Sequence, residues 1–97
     1  MLTSKERKVL SGMGQKLEPI FQVGKNGLDG AIVKEIGDAL EARELIKISV
    51  LKNCDSTARE VLDELCELLS AEPVSCVGFK IVLYRKSSRD NFKHIEF

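Results

Sequence analysis

Two glycines three positions apart, in the run Gly24-Lys25-Asn26-Gly27, are the residues of this chain best suited to bind a ligand. An extended segment precedes the run and an amphipathic segment follows it, which predicts a turn between a strand and a helix. The first amides of such a helix lack partners and, with the helix dipole, can bind an anion. Lys25 adds a point charge suited to a phosphate, and the glycines allow close backbone approach. The run is a candidate clamp for a sugar–phosphate backbone; the alternative is a simple connection between elements.

The elements around this turn follow from the spacing of the apolar residues. Helices are predicted over about 4–16, 29–43 and 56–70, and strands over about 20–23, 45–51, 74–77 and 81–84. The expected caps are Thr3 or Ser4 for the first helix, Asp29 for the second, and Asp55 or Ser56 for the third. The first helix is expected to bury the stripe Leu2, Val9, Leu10, Met13 and Leu17.

The order helix, strand, helix, strand, helix, strand, strand predicts an α/β fold with three helices and a four-stranded mixed sheet. Each strand–helix–strand unit implies parallel strands and a right-handed crossover. The last two strands form a predicted hairpin that adds an antiparallel edge, with Phe79 and Lys80 at its tip. Residues 1–85 form one domain, and residues 86–97 are expected to be a flexible tail in which Phe92, Ile95 and Phe97 could dock.

Charge is balanced overall but unevenly distributed. The chain of 97 residues carries 15 basic and 15 acidic side chains, which argues against a general nucleic-acid binder. Residues 1–53 have a net charge of +2, residues 54–79 of −5 and residues 80–97 of +3. We therefore expect a basic face opposite an acidic third helix. Lys5, Lys8 and Lys16 lie largely off the apolar stripe of the first helix and belong to that basic face.

The sequence offers little for catalysis or metal binding. The single histidine, His94, lies in the tail, and Cys54, Cys66 and Cys76 lack the paired spacing of a zinc site. An odd number of unpaired thiols is typical of a reducing compartment, and the polar start of the chain is unlike a signal peptide. Aromatic residues are few, so backbone and shape recognition is favoured over the reading of unpaired bases. We expect no cofactor, no membrane segment and no small-molecule substrate.

Three stretches together resemble the CRM domain (chloroplast RNA splicing and ribosome maturation) in its stand-alone bacterial YhbY-like form: residues 17–28, 39–47 and 77–85. The resemblance implies an RNA-binding fold related to the C-terminal domain of translation initiation factor three. It also implies that Gly24, Lys25, Asn26 and Gly27 clamp RNA, as in KH domains. Arg43, Lys80 and Arg85 occupy basic positions of the matching stretches. Asp29 departs from the Ser or Thr usual in these proteins.

The expected function is therefore non-catalytic RNA binding. The resemblance implies that the RNA is ribosomal, in precursors of the large subunit, and that the protein is a ribosome assembly factor. We expect a cytoplasmic monomer. The alternative is a protein-interaction adaptor that uses the acidic third helix, whose outer face holds Glu60, Asp63, Glu64 and Glu67.

Overall fold

Seven elements make up the fold of the computed structural model, which describes residues 2–89, 91 and 93–96. In chain order they are α1 (Ser4–Gln15), β1 (Phe21–Val23), α2 (Gly30–Arg43), β2 (Leu45–Val50), α3 (Ala58–Leu69), β3 (Glu72–Val77) and β4 (Lys80–Tyr84). The predicted α/β class and the predicted order of elements are confirmed. The relation to translation initiation factor three stays a prediction.

The four strands form one mixed sheet in the order β1-β2-β4-β3. Strands β1 and β2 are parallel, and β4 is antiparallel to both β2 and β3. The predicted antiparallel hairpin at the edge of the sheet is confirmed, but its edge strand is β3. Strand β4 is central and pairs with β2, so β2 and β3 are not the neighbours that the second strand–helix–strand unit predicted. The reason lies in the side chains. Strand β4 buries apolar residues on both faces, as a central strand does, whereas Pro73 suits β3 to an edge.

The fold has three layers, because α2 and α3 cover one face of the sheet and α1 covers part of the other. The larger core cluster lies between the sheet and helices α2 and α3, with Ile36, Leu62 and Ile81 fully buried. The smaller cluster lies under α1 and is built from Leu10, Leu45, Val74, Val82 and Tyr84. Because α1 ends at Gln15, part of the second face stays uncovered.

Helix α1 turns a different face to the sheet from the one predicted. Leu10 and Gly14 are buried, whereas Val9, Met13 and Leu17 are between 36% and 42% exposed. A Cβ at Gly14 would lie 2.9 Å from Cγ1 of Val82, so only glycine permits this close approach. The helix therefore docks through its smallest residue, and a stripe read from hydrophobicity alone is wrong here.

Capping residues fix where the helices begin. Thr3 accepts from the Glu6 amide while Glu6 accepts from the Thr3 amide, which confirms the first predicted cap as a capping box. Thr57 and Glu60 form the same box at α3. The prediction of Asp55 or Ser56 was wrong, because only Thr57 has a glutamate three residues later.

The segment after β4 contacts α2. The amides of Ser87 and Ile95 each donate to the buried carboxylate of Glu44, at 2.7 Å. Ile95 also packs against the smaller core cluster, as the sequence allowed. Phe92 and Phe97 lie outside the described residues.

Candidate nucleic-acid interface

The glycine turn is closed by its own backbone. The Gly27 amide donates to the Gly24 carbonyl at 2.9 Å, and Gly27 has a φ of +62°, in the left-handed region that glycine tolerates best. Lys25 and Asn26 at the tip are exposed. No hydrogen bond within the described part of the chain uses their amides. The turn therefore presents two backbone donors and an ammonium group to solvent.

The start of α2 is less open to an anion than the sequence suggested. Asp29 is the N-cap, as predicted, and its Oδ1 accepts from the Ile32 amide at 2.9 Å. A carboxylate of the chain itself thus satisfies one of the amides that were expected to bind a phosphate. The donors left for a ligand are chiefly those of the turn, and we correct the predicted site accordingly.

The loop after β2 packs against the glycine turn. The Leu51 amide donates to the Val23 carbonyl at 2.8 Å. A Cβ at Gly24 would lie 3.2 Å from Cδ1 of Leu51 and 3.3 Å from Oδ1 of Asn53, so this position favours glycine for its lack of bulk. Lys52 lies on the same loop and is exposed.

The tip of the β3–β4 hairpin reaches the same end of the sheet. The Val50 amide donates to the Phe79 carbonyl at 2.7 Å, and Gly78 turns the chain with a φ of +58°. Phe79 is 50% exposed, and Lys80 beside it is exposed. We call residues 24–27, 51–53 and 78–80 together the loop end.

Three lysines of the loop end have no acidic partner among the described residues. No ion pair among the residues described involves Lys25, Lys52 or Lys80. Unpaired ammonium groups near exposed amides can neutralise phosphates without first breaking an internal contact. The arrangement suits an extended polyanion.

Lys52 and Asn53 were missed by the sequence analysis. Their position follows from the pairing of β1 with β2, since the carboxyl ends of parallel strands meet at one edge of a sheet. The predicted parallel pair therefore contained the information needed to place this loop beside the glycine turn.

Two candidate residues lie at the opposite end of the sheet. Arg43 ends α2, whose 14 residues span roughly 21 Å from the glycine turn. The guanidinium of Arg85 donates to the carbonyls of Leu69 and Gly37 at 2.9 and 3.1 Å, and to Glu41 at 3.3 Å. These contacts give Arg85 a structural role, and RNA contact by either arginine stays a prediction.

The three candidate lysines in and just after α1 are all exposed, but only Lys8 lines the cleft between α1 and β3. Lys8 lies with Arg7, Ser11 and Gln15 along a cleft between α1 and β3. Lys5 and Lys16 do not line it. Lys8 therefore shares a cleft with other polar side chains of α1, whereas Lys5 and Lys16 are exposed outside it.

The described residues contain no obvious catalytic or metal centre. No group of three or more histidine, cysteine or acidic residues among them could hold a metal ion. The cysteines are free and half-buried, and burial, with the Asp63 carboxylate, raises the pKa of Cys66 to about 11. Such a thiol stays protonated and is a poor nucleophile. No helix in the part of the chain described is long and apolar enough to cross a membrane.

Comparison with known proteins finds a matching domain family and relatives named as probable RNA-binding proteins. The CRS1 / YhbY (CRM) domain matches residues 2–85. The "Probable RNA-binding protein YqeI" of Bacillus subtilis is 46% identical over 96 residues, which cover 99% of this chain and 98% of that protein. The "Probable RNA-binding protein PA4753" of Pseudomonas aeruginosa is 32% identical over 90 residues, which cover 93% of this chain and 86% of that protein.

A solved structure is similar in fold as well as in sequence. The solution structure of the protein SAV1595 from Staphylococcus aureus has a TM-score of 0.79 and 40% identity, and the match covers 94% of this chain and 95% of that one. That protein is described as "a putative RNA binding protein". The similarity therefore extends across nearly the whole chain.

Proposed function

The chain belongs to the CRS1/YhbY (CRM) domain family, and we propose that it is a non-catalytic RNA-binding protein that uses the loop end as its interface. One observation carries the proposal: three loops meet at one end of the sheet, so that the exposed Lys25, Lys52 and Lys80 lie at the same end as the open amides of the glycine turn. Phosphates of a nucleic-acid backbone fit this combination of charge and backbone donors.

The RNA is expected to bind mainly through its backbone. A surface that neutralises roughly three to five phosphates gives a slope of about −2 to −4 when log affinity is plotted against log salt concentration. Fluorescence anisotropy of a labelled RNA duplex, titrated across a salt series, measures both the affinity and this slope.

A double substitution in the glycine turn tests the interface. Lys25→Glu with Gly27→Asp places two carboxylates at the open amides, so binding should fall by at least tenfold. Lys34→Glu with Ala42→Asp makes the same change in net charge on exposed positions of α2 and should change affinity little. Equal losses of affinity in both double variants would mean that only the net charge matters and that the turn is not part of the interface.

We further propose that the RNA is ribosomal, in precursors of the large subunit, and that the protein is a cytoplasmic monomer acting in ribosome assembly. Sedimentation of a cell extract at low salt tests this. The protein should travel with large-subunit precursors and leave them at high salt. Recovery only at the top of the gradient at low salt would contradict the ribosomal role.

The adaptor alternative makes an opposite prediction. Glu64 and Glu67 are exposed on α3, and Glu64→Lys with Glu67→Lys removes acidic charge without touching the Thr57–Glu60 cap. An RNA-binding protein should bind RNA equally well or better after this change, whereas an adaptor should lose its protein partner. Co-precipitation and anisotropy on the same variant distinguish the two.

A further inference from the structure

An uncovered part of the sheet lies beyond the end of α1. Helix α1 stops at Gln15, directly after Gly14 has packed on Val82. The surface beyond it forms an open cavity of about 300 Å³, at the small end of the range for ligand sites (roughly 300–1,000 Å³). We call it the sheet pocket. Its lining residues are Gln15, Lys47, Ser75, Val77, Lys80 and Val82.

Strand register sets the layout of the sheet pocket. Val82 of β4 is flanked by Lys47 of β2 and Ser75 of β3, which forms one row across the sheet. In the next row Lys80 is flanked by Ser49 and Val77. Neighbouring strands lie about 4.8 Å apart, so each row is roughly 10 Å wide. An apolar floor of one valine is thus bordered by two ammonium groups, with a second valine at the open side.

The charges of the sheet pocket favour an anionic ligand. No carboxylate lines it, and no ion pair between described residues uses Lys47 or Lys80. Two cavities that each share a lining residue with the sheet pocket likewise contain two cations and no acid, whereas two others include Glu18, or Glu6 and Glu72, in their walls. In a chain with equal numbers of acidic and basic residues, the sheet pocket therefore belongs to a basic stretch of surface.

The sheet pocket is continuous with the loop end and with the cleft along α1. Lys80 belongs to both the hairpin tip and the sheet pocket, while Gln15 lines the sheet pocket and also the cleft that holds Arg7 and Lys8. An RNA strand that is bound at the glycine turn and passes over the hairpin tip would therefore reach the sheet pocket next. Val77, 74% exposed, offers it an apolar contact there.

We propose that the sheet pocket takes one unpaired nucleotide of the bound RNA. The base lies on the exposed Val77, above the buried Val82 of the pocket floor, and the phosphate lies between Lys47 and Lys80. Gln15 and Ser75 offer an amide and a hydroxyl to the edge of the base. The inference rests on the proposed function and deepens it, because the pocket would let the protein prefer RNA with single-stranded nucleotides beside a duplex.

Three RNAs distinguish the contribution of the base from that of the phosphates. The first is a blunt duplex, the second carries a short single-stranded extension, and the third carries the same extension without bases. Anisotropy should show about fivefold tighter binding of the second than of the first. The abasic extension keeps the phosphates but loses the base, so it should recover only a small part of the gain. This arm needs the wild-type protein alone.

Substitutions then locate the effect. Lys47→Ala and Val77→Asp should each bring the extended RNA close to the affinity of the blunt duplex, while Lys34→Ala on α2 should keep the full difference. Thermal melting checks that each variant is folded; Val77 is too exposed for its replacement to disturb the core.

The outcomes distinguish this inference from the proposed function. Equal gains from the normal and abasic extensions, or an unchanged gain in both pocket variants, would overturn the nucleotide pocket while leaving binding at the glycine turn intact. Loss of binding to all three RNAs in the turn variant, with the gain from the extension abolished only in the pocket variants, supports both.

Discussion

Cations at the two ends of the sheet have different environments. At the loop end, Lys25, Lys52 and Lys80 are exposed and have no acidic partner among the described residues. At the other end, which we call the tail end, Arg85 is half-buried and its guanidinium is bound to two carbonyls and to Glu41. The same positive charge is thus available to a ligand at one end and used internally at the other.

This difference shows what separates a binding cation from a structural one. A phosphate must compete with every existing partner of the side chain it approaches. At the loop end there is little to displace, whereas at the tail end binding would break the hydrogen bonds of Arg85 to two carbonyls and its ion pair with Glu41. A count of charges along the sequence does not distinguish the cations of the loop end from those of the tail end. Their contacts in the fold do.

Arg85→Met should give the largest effect on stability and sharpen the contrast. The substitution keeps much of the side-chain volume but removes the hydrogen bonds to the carbonyls of Leu69 and Gly37 and the ion pair with Glu41, so we expect a loss of about 3 kcal/mol in the free energy of unfolding. Lys80→Met should cost less than about 0.5 kcal/mol. Urea unfolding measures both.

In RNA binding the order should be reversed. Folded Arg85→Met should bind RNA with nearly wild-type affinity, and Lys80→Met should be weaker. An Arg85 variant that is stable but fails to bind RNA would break the comparison and restore Arg85 to the interface.

The acidic groups of the tail end should make stability depend on pH. Burial raises the pKa of Glu44, but hydrogen bonds from His94, Ile95 and Ser87 outweigh it and leave the pKa below its ordinary value of 4.5. The backbone hydrogen bond from Ser88, with one from the Ser87 hydroxyl, likewise lowers the pKa of Glu41. A carboxyl with a lowered folded pKa stabilises the fold above its unfolded pKa, and this stability is lost as the pH falls through the folded value.

Glu44→Gln should therefore lower the melting temperature at pH 7 and flatten its fall below about pH 4.5. Melting curves from pH 3 to 7 measure this, and Glu35→Gln, on an exposed position of α2, is the control. An unchanged pH profile in Glu44→Gln would mean that the hydrogen bonds to Glu44 do not cause the loss of stability in acid.

Gly27→Ala tests the conformation of the turn. A Cβ there meets no atom within 4 Å, but the φ of +62° disfavours alanine by about 1 kcal/mol. The turn should relax, and affinity for RNA should fall severalfold with little loss of stability. Gly12→Ala, in open space within α1, should instead raise stability by about 1 kcal/mol. Anisotropy and thermal melting of both variants check the pair.

The salt dependence should give the smallest effect. Lys25→Ala and Lys52→Ala should each reduce the magnitude of the salt slope by about 1, because each removes one phosphate contact. Arg43→Ala, at the tail end, should leave the slope unchanged. Equal reductions for all three would mean that the RNA spans both ends.

The sequence was sufficient for the elements because periodicity and caps are local. It predicted the glycine turn, the Asp29 cap and the hairpin tip at Phe79 correctly. It misplaced β4 because strand order depends on which strand can be buried on both faces, and misassigned the face of α1 because the contact of Gly14 with Val82 is long-range. Lys52 and the sheet pocket arise only when strands distant in sequence are paired. Arg85 was selected by charge, and the contacts of its guanidinium are visible only in the fold.

Backbone amide chemical shifts during an RNA titration test the central claim most directly. With isotope-labelled protein and a short RNA duplex, we expect the strongest perturbations at Lys25, Asn26, Lys52 and Phe79, and none of comparable size at Arg43, Arg85 or along α3. Perturbations concentrated at the tail end or on the acidic helix, with the glycine turn unaffected, would contradict the account.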